Sequence, residues 1–99
     1  MNQKENILSY LREIKKDLEN RYQITKLGLF GSFATEKQND HSDIDILIEF
    51  EAGTENLFEK KNQIRKIISQ NFNRDVDLCR EKYIKPYFKK QLLKTVIYV

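Results

Sequence analysis

Apolar residues recur along this chain with two distinct periods, and the switching between them sets out an order of elements. Residues 5–22 carry Ile7, Leu8, Leu11, Ile14, Leu18 and Tyr22 at helical spacing, with Lys, Glu, Asp and Asn between them. That is the pattern of an amphipathic helix with one buried face. From Ile24 to Phe30 the period drops to two, with Ile24 and Lys26 alternating against Thr25, Leu27 and Leu29, as in a strand. Gly31-Ser32 end that strand, a short helix is expected from Phe33 to Lys37, and Gln38-Asn39-Asp40-His41-Ser42 reads as loop. Asp43–Phe50 is the strongest strand pattern, alternating carboxylate and apolar residues before turning almost wholly apolar. Ala52-Gly53-Thr54 reads as a turn, with Thr54 as N-cap of a second amphipathic helix. The apolar face of that helix holds Leu57, Phe58, Ile64, Ile67 and Ile68, and Asn71-Phe72-Asn73 closes it. A short third strand is expected from Arg74 to Cys79, and Pro86 opens a last helix with the stripe Phe88, Leu92, Leu93 and Val96.

The order α-β-α-β-α-β-α predicts an α/β (α+β) fold, a small mixed sheet with helices packed mainly on one side. Spacing alone leaves the pairing order of the strands open. No repeat or linker interrupts the 99 residues, so residues 1–99 are expected to form a single domain. A chain of this length buries about 60–70% of its unfolded surface and supports one modest core. There is no room for a separate substrate-recognition domain.

Composition narrows the classes. Hydrophobic residues make up 39% and charged residues 33%, with three Gly and one Pro, which excludes collagen-like and low-complexity chains and argues against disorder. Lys and Arg exceed Asp and Glu by 18 to 15, a net charge of +3. This mild excess suits a polyanionic ligand such as a nucleotide and is too small to imply a nucleic-acid binder. The single cysteine, Cys79, cannot form an internal disulfide, so a reducing cytoplasm is the expected location. No stretch approaches the roughly 18 apolar residues of a membrane span, and the start Met1-Asn2-Gln3-Lys4-Glu5-Asn6 lacks the apolar block of a signal peptide.

The chemistry concentrates on a few residues. Asp43 and Asp45, two apart on a strand, point to one face while Ile44, Ile46 and Ile48 point to the other. Adjacent carboxylates repel, and a divalent cation converts the pair into a hard-oxygen site. Asp77 on the third strand faces the same position if the two strands are neighbours, and Asp75 shares its parity. Three carboxylates around two Mg²⁺ ions roughly 3.5–4 Å apart drive in-line phosphoryl transfer. Gly31-Ser32 stand where a strand meets a helix, a place where backbone amides approach a phosphate closely. A ten-residue segment, Phe33 to Ser42, then leads to Asp43-Ile44-Asp45, so phosphate binder and carboxylates are expected at one end of the sheet.

Gly31-Ser32, the ten residues and Asp43-Ile44-Asp45 resemble the signature of the polymerase-β-like nucleotidyltransferase superfamily. The length, the strand Asp75-Val76-Asp77-Leu78 and the ending from Ile84-Lys85-Pro86 through Ile97-Tyr98-Val99 resemble its minimal nucleotidyltransferase (MNT) branch. That branch is known largely as the antitoxin partner of HEPN-domain ribonuclease toxins. The resemblance implies that Gly31 and Ser32 hold the triphosphate of ATP and that Asp43, Asp45 and Asp77 bind two Mg²⁺. Asp77 would lie nearest the acceptor hydroxyl. It is preferred to Asp75 because it stands directly before Leu78, as the family's residue usually precedes an apolar one. The implied reaction transfers AMP to a hydroxyl, a tyrosine of a cognate HEPN toxin, and neutralises it. No membrane and no direct nucleic-acid partner are expected. The chain departs from the family pattern at Thr35-Glu36, where many members carry Arg-Gly after the Gly-Ser-x-Ala segment.

Other groups read as ordinary surface. His41 is a loop histidine two residues before Asp43, and no histidine accompanies Cys79 to make it a nucleophile. Lys82, Lys85, Lys89, Lys90 and Lys94, interleaved with Tyr83 and Tyr87, suit a solvated helix face, as do Lys60, Lys61, Arg65 and Lys66. Two other functions compete. One is an antitoxin that inhibits by stoichiometric binding through the apolar end Val96-Ile97-Tyr98-Val99, a segment that equally suits a last core strand. The other is a nucleotidyltransferase acting on RNA or a small molecule, which the short length disfavours.

Overall fold

The computed structural model describes residues 2–99, and Met1 lies outside the described residues. Nine elements follow one another: α1 (Gln3–Tyr22), β1 (Ile24–Phe30), α2 (Gly31–Thr35), β2 (Ile44–Phe50), α3 (Leu57–Phe72), β3 (Val76–Arg80), a 3₁₀ turn (Glu81–Tyr83), α4 (Pro86–Thr95) and β4 (Ile97–Tyr98). The strands form one mixed sheet in the order β3-β2-β1-β4. β2 runs antiparallel to β1 and parallel to β3, while β4 is antiparallel to β1.

α1 starts where the Asn2 carboxamide oxygen accepts from the Glu5 amide at 2.8 Å, and it stops at Gln23 in the left-handed region. Its periodic residues Ile7, Leu8, Leu11, Leu18 and Tyr22 are buried. They meet Ile44, Ile46, Ile48 and Phe50 of β2, Val76 and Leu78 of β3, Phe33 of α2 and Ile64 and Ile68 of α3 in one core on one sheet face. Replacing Ile46, fully buried on the central strand, by Ala is expected to cost about 3 kcal/mol in urea unfolding. Phe58→Ala, at a side chain 78% exposed, should stay within about 0.5 kcal/mol of wild type.

Four local expectations are corrected. Ile24 lies on the core side with Leu27 and Leu29, because a register shift between Ile24 and Lys26 inserts one residue and turns the strand over. Thr54 does not cap α3. Its hydroxyl closes the preceding turn by donating to the Glu51 carbonyl at 2.6 Å, and Asn56 occupies the cap position in a left-handed conformation. Phe58, six residues before buried Ile64, falls outside the helix's inner face. The short helix after β1 runs Gly31–Thr35, not Phe33–Lys37, because it begins directly at the end of the strand.

The C-terminal segment is a strand. Ile97 and Tyr98 pair with Leu29 and Gly28, and the Val99 amide donates to the Leu27 carbonyl at 2.9 Å. α4, by contrast, has no buried residue: Phe88 and Leu93 of the expected apolar stripe are 58% and 45% exposed, and Tyr87, on the expected solvated face, is 74% exposed. No helix among the described residues is long and apolar enough to cross a membrane.

Candidate active site

The second face of the sheet carries the odd-numbered residues of β2, namely Asp45, Leu47 and Glu49, opposite the buried Ile44, Ile46 and Ile48. Parallel pairing sets Asp77 beside Asp45 and Cys79 beside Leu47, and antiparallel pairing sets Phe30 beside Asp45 on the other flank. Gly31 therefore leaves β1 at the level of Asp45. Its φ is +73°, and a Cβ there would collide with Asp45 Oδ2 and stand 2.9 Å from Asp45 Cγ. Only glycine lets the start of α2 close onto this carboxylate. Ser32 follows in the first turn of α2, half-buried.

Asp43 sits just before β2 and is exposed, while the neighbouring Ile44 amide donates to the Asp75 carbonyl at 2.9 Å. The expected strand thus begins one residue later than its pattern, but Asp43 and Asp45 retain the spacing that puts both before the same face. Register sets the two carboxylates around the start of β3 apart. Asp77 pairs directly with Asp45, whereas Asp75 precedes the strand and lines a polar cavity of about 450 Å³ with Asp40, His41, Asp43 and Arg74.

Electrostatics separates the carboxylates of this face. Glu49 is held below the ordinary range: burial opposes this, but the Phe50 amide, the Arg80 guanidinium and the Lys82 amide all donate to it. Arg80 Nη2 and Nε reach Glu49 Oε1 at 2.6 and 2.8 Å. Asp45 has no such cation among the described residues. Burial first, then the charges of Asp77 and Asp43, push its carboxyl up to about 6. The same surroundings raise the thiol of Cys79, through burial and then Asp77 and Asp45, so it is protonated at neutral pH and no nucleophile.

The sequence pattern places Arg74 at the start of a strand, but it precedes β3 by two residues. In the structure its Nη1 donates to the Ser42 carbonyl at 2.8 Å and its guanidinium lies 5.1 Å over the Phe33 ring. It thereby ties the loop before Asp43 to α2. Nothing local signals this, since the contacts span about 32 and 41 positions of sequence. Glu36 occupies the left-handed cap of α2 at φ +59°, a conformation that favours glycine, and its Oε1 accepts from Asn2 Nδ2 at 2.9 Å. The departure from Arg-Gly is accommodated by the backbone. His41 is exposed in the loop, and Lys82, Lys85, Lys90 and Lys94 are solvated.

This arrangement can be set against known proteins. The nucleotidyltransferase domain model matches residues 11–99. The chain belongs to the nucleotidyltransferase family. Within that family its likeness is to the minimal members. A candidate protein adenylyltransferase of Methanocaldococcus jannaschii is 35% identical over 94 residues, with 94% of each chain covered. A solved structure described as a candidate minimal nucleotidyltransferase superposes with a TM-score of 0.75 at 25% identity, covering 93% of this chain and 92% of the other. The MNT antitoxin in complex with a tri-AMPylated Shewanella oneidensis HEPN toxin shares the fold, with a TM-score of 0.65 at 17% identity over 97% of this chain and 71% of the other. The chain is a nucleotidyltransferase of the minimal branch.

Proposed function

We propose that this nucleotidyltransferase moves AMP from ATP onto a tyrosine hydroxyl of a HEPN ribonuclease toxin and thereby neutralises it. The observation that carries the reading is the convergence of Gly31 on Asp45 with Asp77 paired alongside. The adenylyltransferase name of the archaeal relative and the AMPylated toxin in the Shewanella complex support the nucleotide and the partner.

The donor set fits Mg²⁺ in kind. Asp43, Asp45 and Asp77 offer hard carboxylate oxygens, and Asp45 lacks any cation to offset its neighbours' charge. Among the described residues no three acidic, His or Cys side chains stand within reach of one metal ion, so Mg²⁺ would be held with Asp45 as the central carboxylate and Asp43 and Asp77 as its flanking ones. When bound, two Mg²⁺ neutralise charge on the α-phosphoryl group and on the departing pyrophosphate. Gly31 leaves room for the triphosphate against the backbone at the start of α2, and Ser32 offers its amide and hydroxyl. Asp77 orients the acceptor hydroxyl and receives its proton as the oxygen bonds to the α-phosphorus and the bond to the β-phosphate breaks. An AMP group adds charge and bulk to the toxin at the modified residue.

The test mixes the protein with labelled ATP, Mg²⁺ and the helical protein encoded beside it. Wild type is expected to label the partner, and Asp43→Ala/Asp45→Ala is expected to leave it unlabelled and active as a ribonuclease. Full neutralisation by the double variant without label would replace catalysis with stoichiometric binding. Label on RNA or on a small molecule instead would reassign the acceptor.

A further inference from the structure

We infer that the exposed side of α4 next to Gly31 is the nucleobase site, with Phe88 as stacking platform and Gln91 reading the edge of a purine. This rests on the reading of Gly31 and Asp45 as the phosphate and metal end of the same site. A cavity of about 380 Å³ is lined by Phe30, Gly31, Phe88, Gln91, Leu92 and Thr95. It shares Gly31 with the acidic centre, and Phe30 is the strand partner of Asp45. A ligand whose phosphates lie at Gly31 is therefore at the wall of this cavity.

The lining chemistry selects what enters. No charged side chain contributes to it, whereas the neighbouring polar cavity is lined by Asp40, Asp43, Arg74 and Asp75. The group admitted beside Gly31 is thus neutral and largely apolar. Phe88 is 58% exposed on a helix without any buried residue, and its only ring contact among the described residues is edge-on with Tyr87, at 5.0 Å and 79°. One ring face remains open, which is what a flat heterocycle needs. Among the polar lining groups, the Thr95 hydroxyl is engaged with the Leu92 carbonyl at 3.3 Å. The Gln91 carboxamide is left, offering a donor and an acceptor side by side, complementary to the amino group and ring nitrogen of adenine. Burying a polar ligand edge without that partner is costly, so Gln91 contributes discrimination and Phe88 contributes affinity.

The experiment measures Mg·ATP binding to the isolated protein by calorimetry, alongside binding of Mg·tripolyphosphate, which has no base. Phe88→Ala is expected to weaken ATP about tenfold and to leave tripolyphosphate unchanged, since stacking on one aromatic side chain is typically about 1–3 kcal/mol. Phe88→Trp should restore ATP affinity. Gln91→Leu should narrow the preference for ATP over inosine triphosphate, which lacks the amino group. Phe58→Ala, remote and exposed, serves as control. Unchanged ATP affinity in Phe88→Ala overturns the inference, and if that variant instead loses affinity for the partner protein, the face belongs to the partner. Equal losses for ATP and tripolyphosphate also overturn it, because the effect is then on the phosphate end. If wild type binds ATP yet labels no acceptor, the transferase reading fails while the Phe88 comparison still decides the base site.

Discussion

Asp45→Asn is expected to abolish nucleotidyl transfer and, at the same time, to stabilise the metal-free protein at neutral pH. Asp45 is half-buried on the open face of β2, with its carboxyl pushed up to about 6 by burial and by Asp77 and Asp43. In the unfolded chain the same group titrates near its ordinary value of 3.8. The folded state therefore holds a proton more tightly than the unfolded state between about pH 4 and 6. Its stability is highest at the acidic end of that window, falls as the pH rises through it, and stays reduced above it. Each unit of difference corresponds to about 1.4 kcal/mol, and partial exposure of the carboxyl screens the effect, so Asn should gain about 1–2 kcal/mol at pH 7.5. Urea unfolding of both proteins from pH 4 to 8 without divalent cations measures this. The two stabilities should separate as the pH rises from about 4 to 6 and stay apart above that. Added Mg²⁺ should then recover stability in wild type and not in Asp45→Asn. Parallel pH curves, or an active Asp45→Asn protein, would contradict the assignment of Asp45 as an uncompensated metal carboxylate.

Gly31→Ala is expected to lower stability by about 2–5 kcal/mol and to remove activity. Two costs combine at this position. A left-handed backbone at φ +73° costs a residue with a Cβ about 1–2 kcal/mol, and the new methyl overlaps the Asp45 carboxylate, adding an overpacking cost of about 1–3 kcal/mol. Gly53 separates the two. It too has a positive φ, +81°, but nothing lies within 4 Å of its would-be Cβ, so Gly53→Ala should show only the backbone cost of about 1–2 kcal/mol and stay active. A double-mutant cycle isolates the contact: combined with Asp45→Ala, which removes the carboxylate and leaves only the Asp45 Cβ at 3.1 Å, the Gly31→Ala cost should drop most of the way towards that of Gly53→Ala. Additive costs would show that the carboxylate does not occupy the space the glycine leaves. Activity retained in Gly31→Ala would remove Gly31 from the candidate site.

Both predictions start from residues that stand out in the sequence, yet their arguments differ in how much of the site was readable there. The parity of Asp43 and Asp45 against Ile44, Ile46 and Ile48 follows from the period of a strand, and burial follows that parity along β2 except at Leu47, which is buried on the face of Asp45 and Glu49. The Gly-Ser corner is likewise a local feature. The collision between a Gly31 side chain and Asp45 is not, because it arises from the β1–β2 register that pairs Phe30 with Asp45. The Arg74–Ser42 bond and the Glu49–Arg80 pair are not legible in the sequence for the same reason: each joins groups 31 or 32 positions apart.

The sequence by itself determined which residues share a face, where strands give way to helices, and that an acidic pair follows a Gly-Ser corner. These are properties of backbone geometry with periods of 2 and 3.6, and they need no knowledge of neighbours. Only the tertiary structure decided that Asp77 and not Asp75 stands beside Asp45, that Ile24 turns inward through a bulge, that Ile97-Tyr98 close the sheet edge, and that α4 leaves Phe88 open beside Gly31. Each of these depends on which strands pair and in what register. That choice is set by burial of the whole core at once, and a shift of one residue would exchange its two faces.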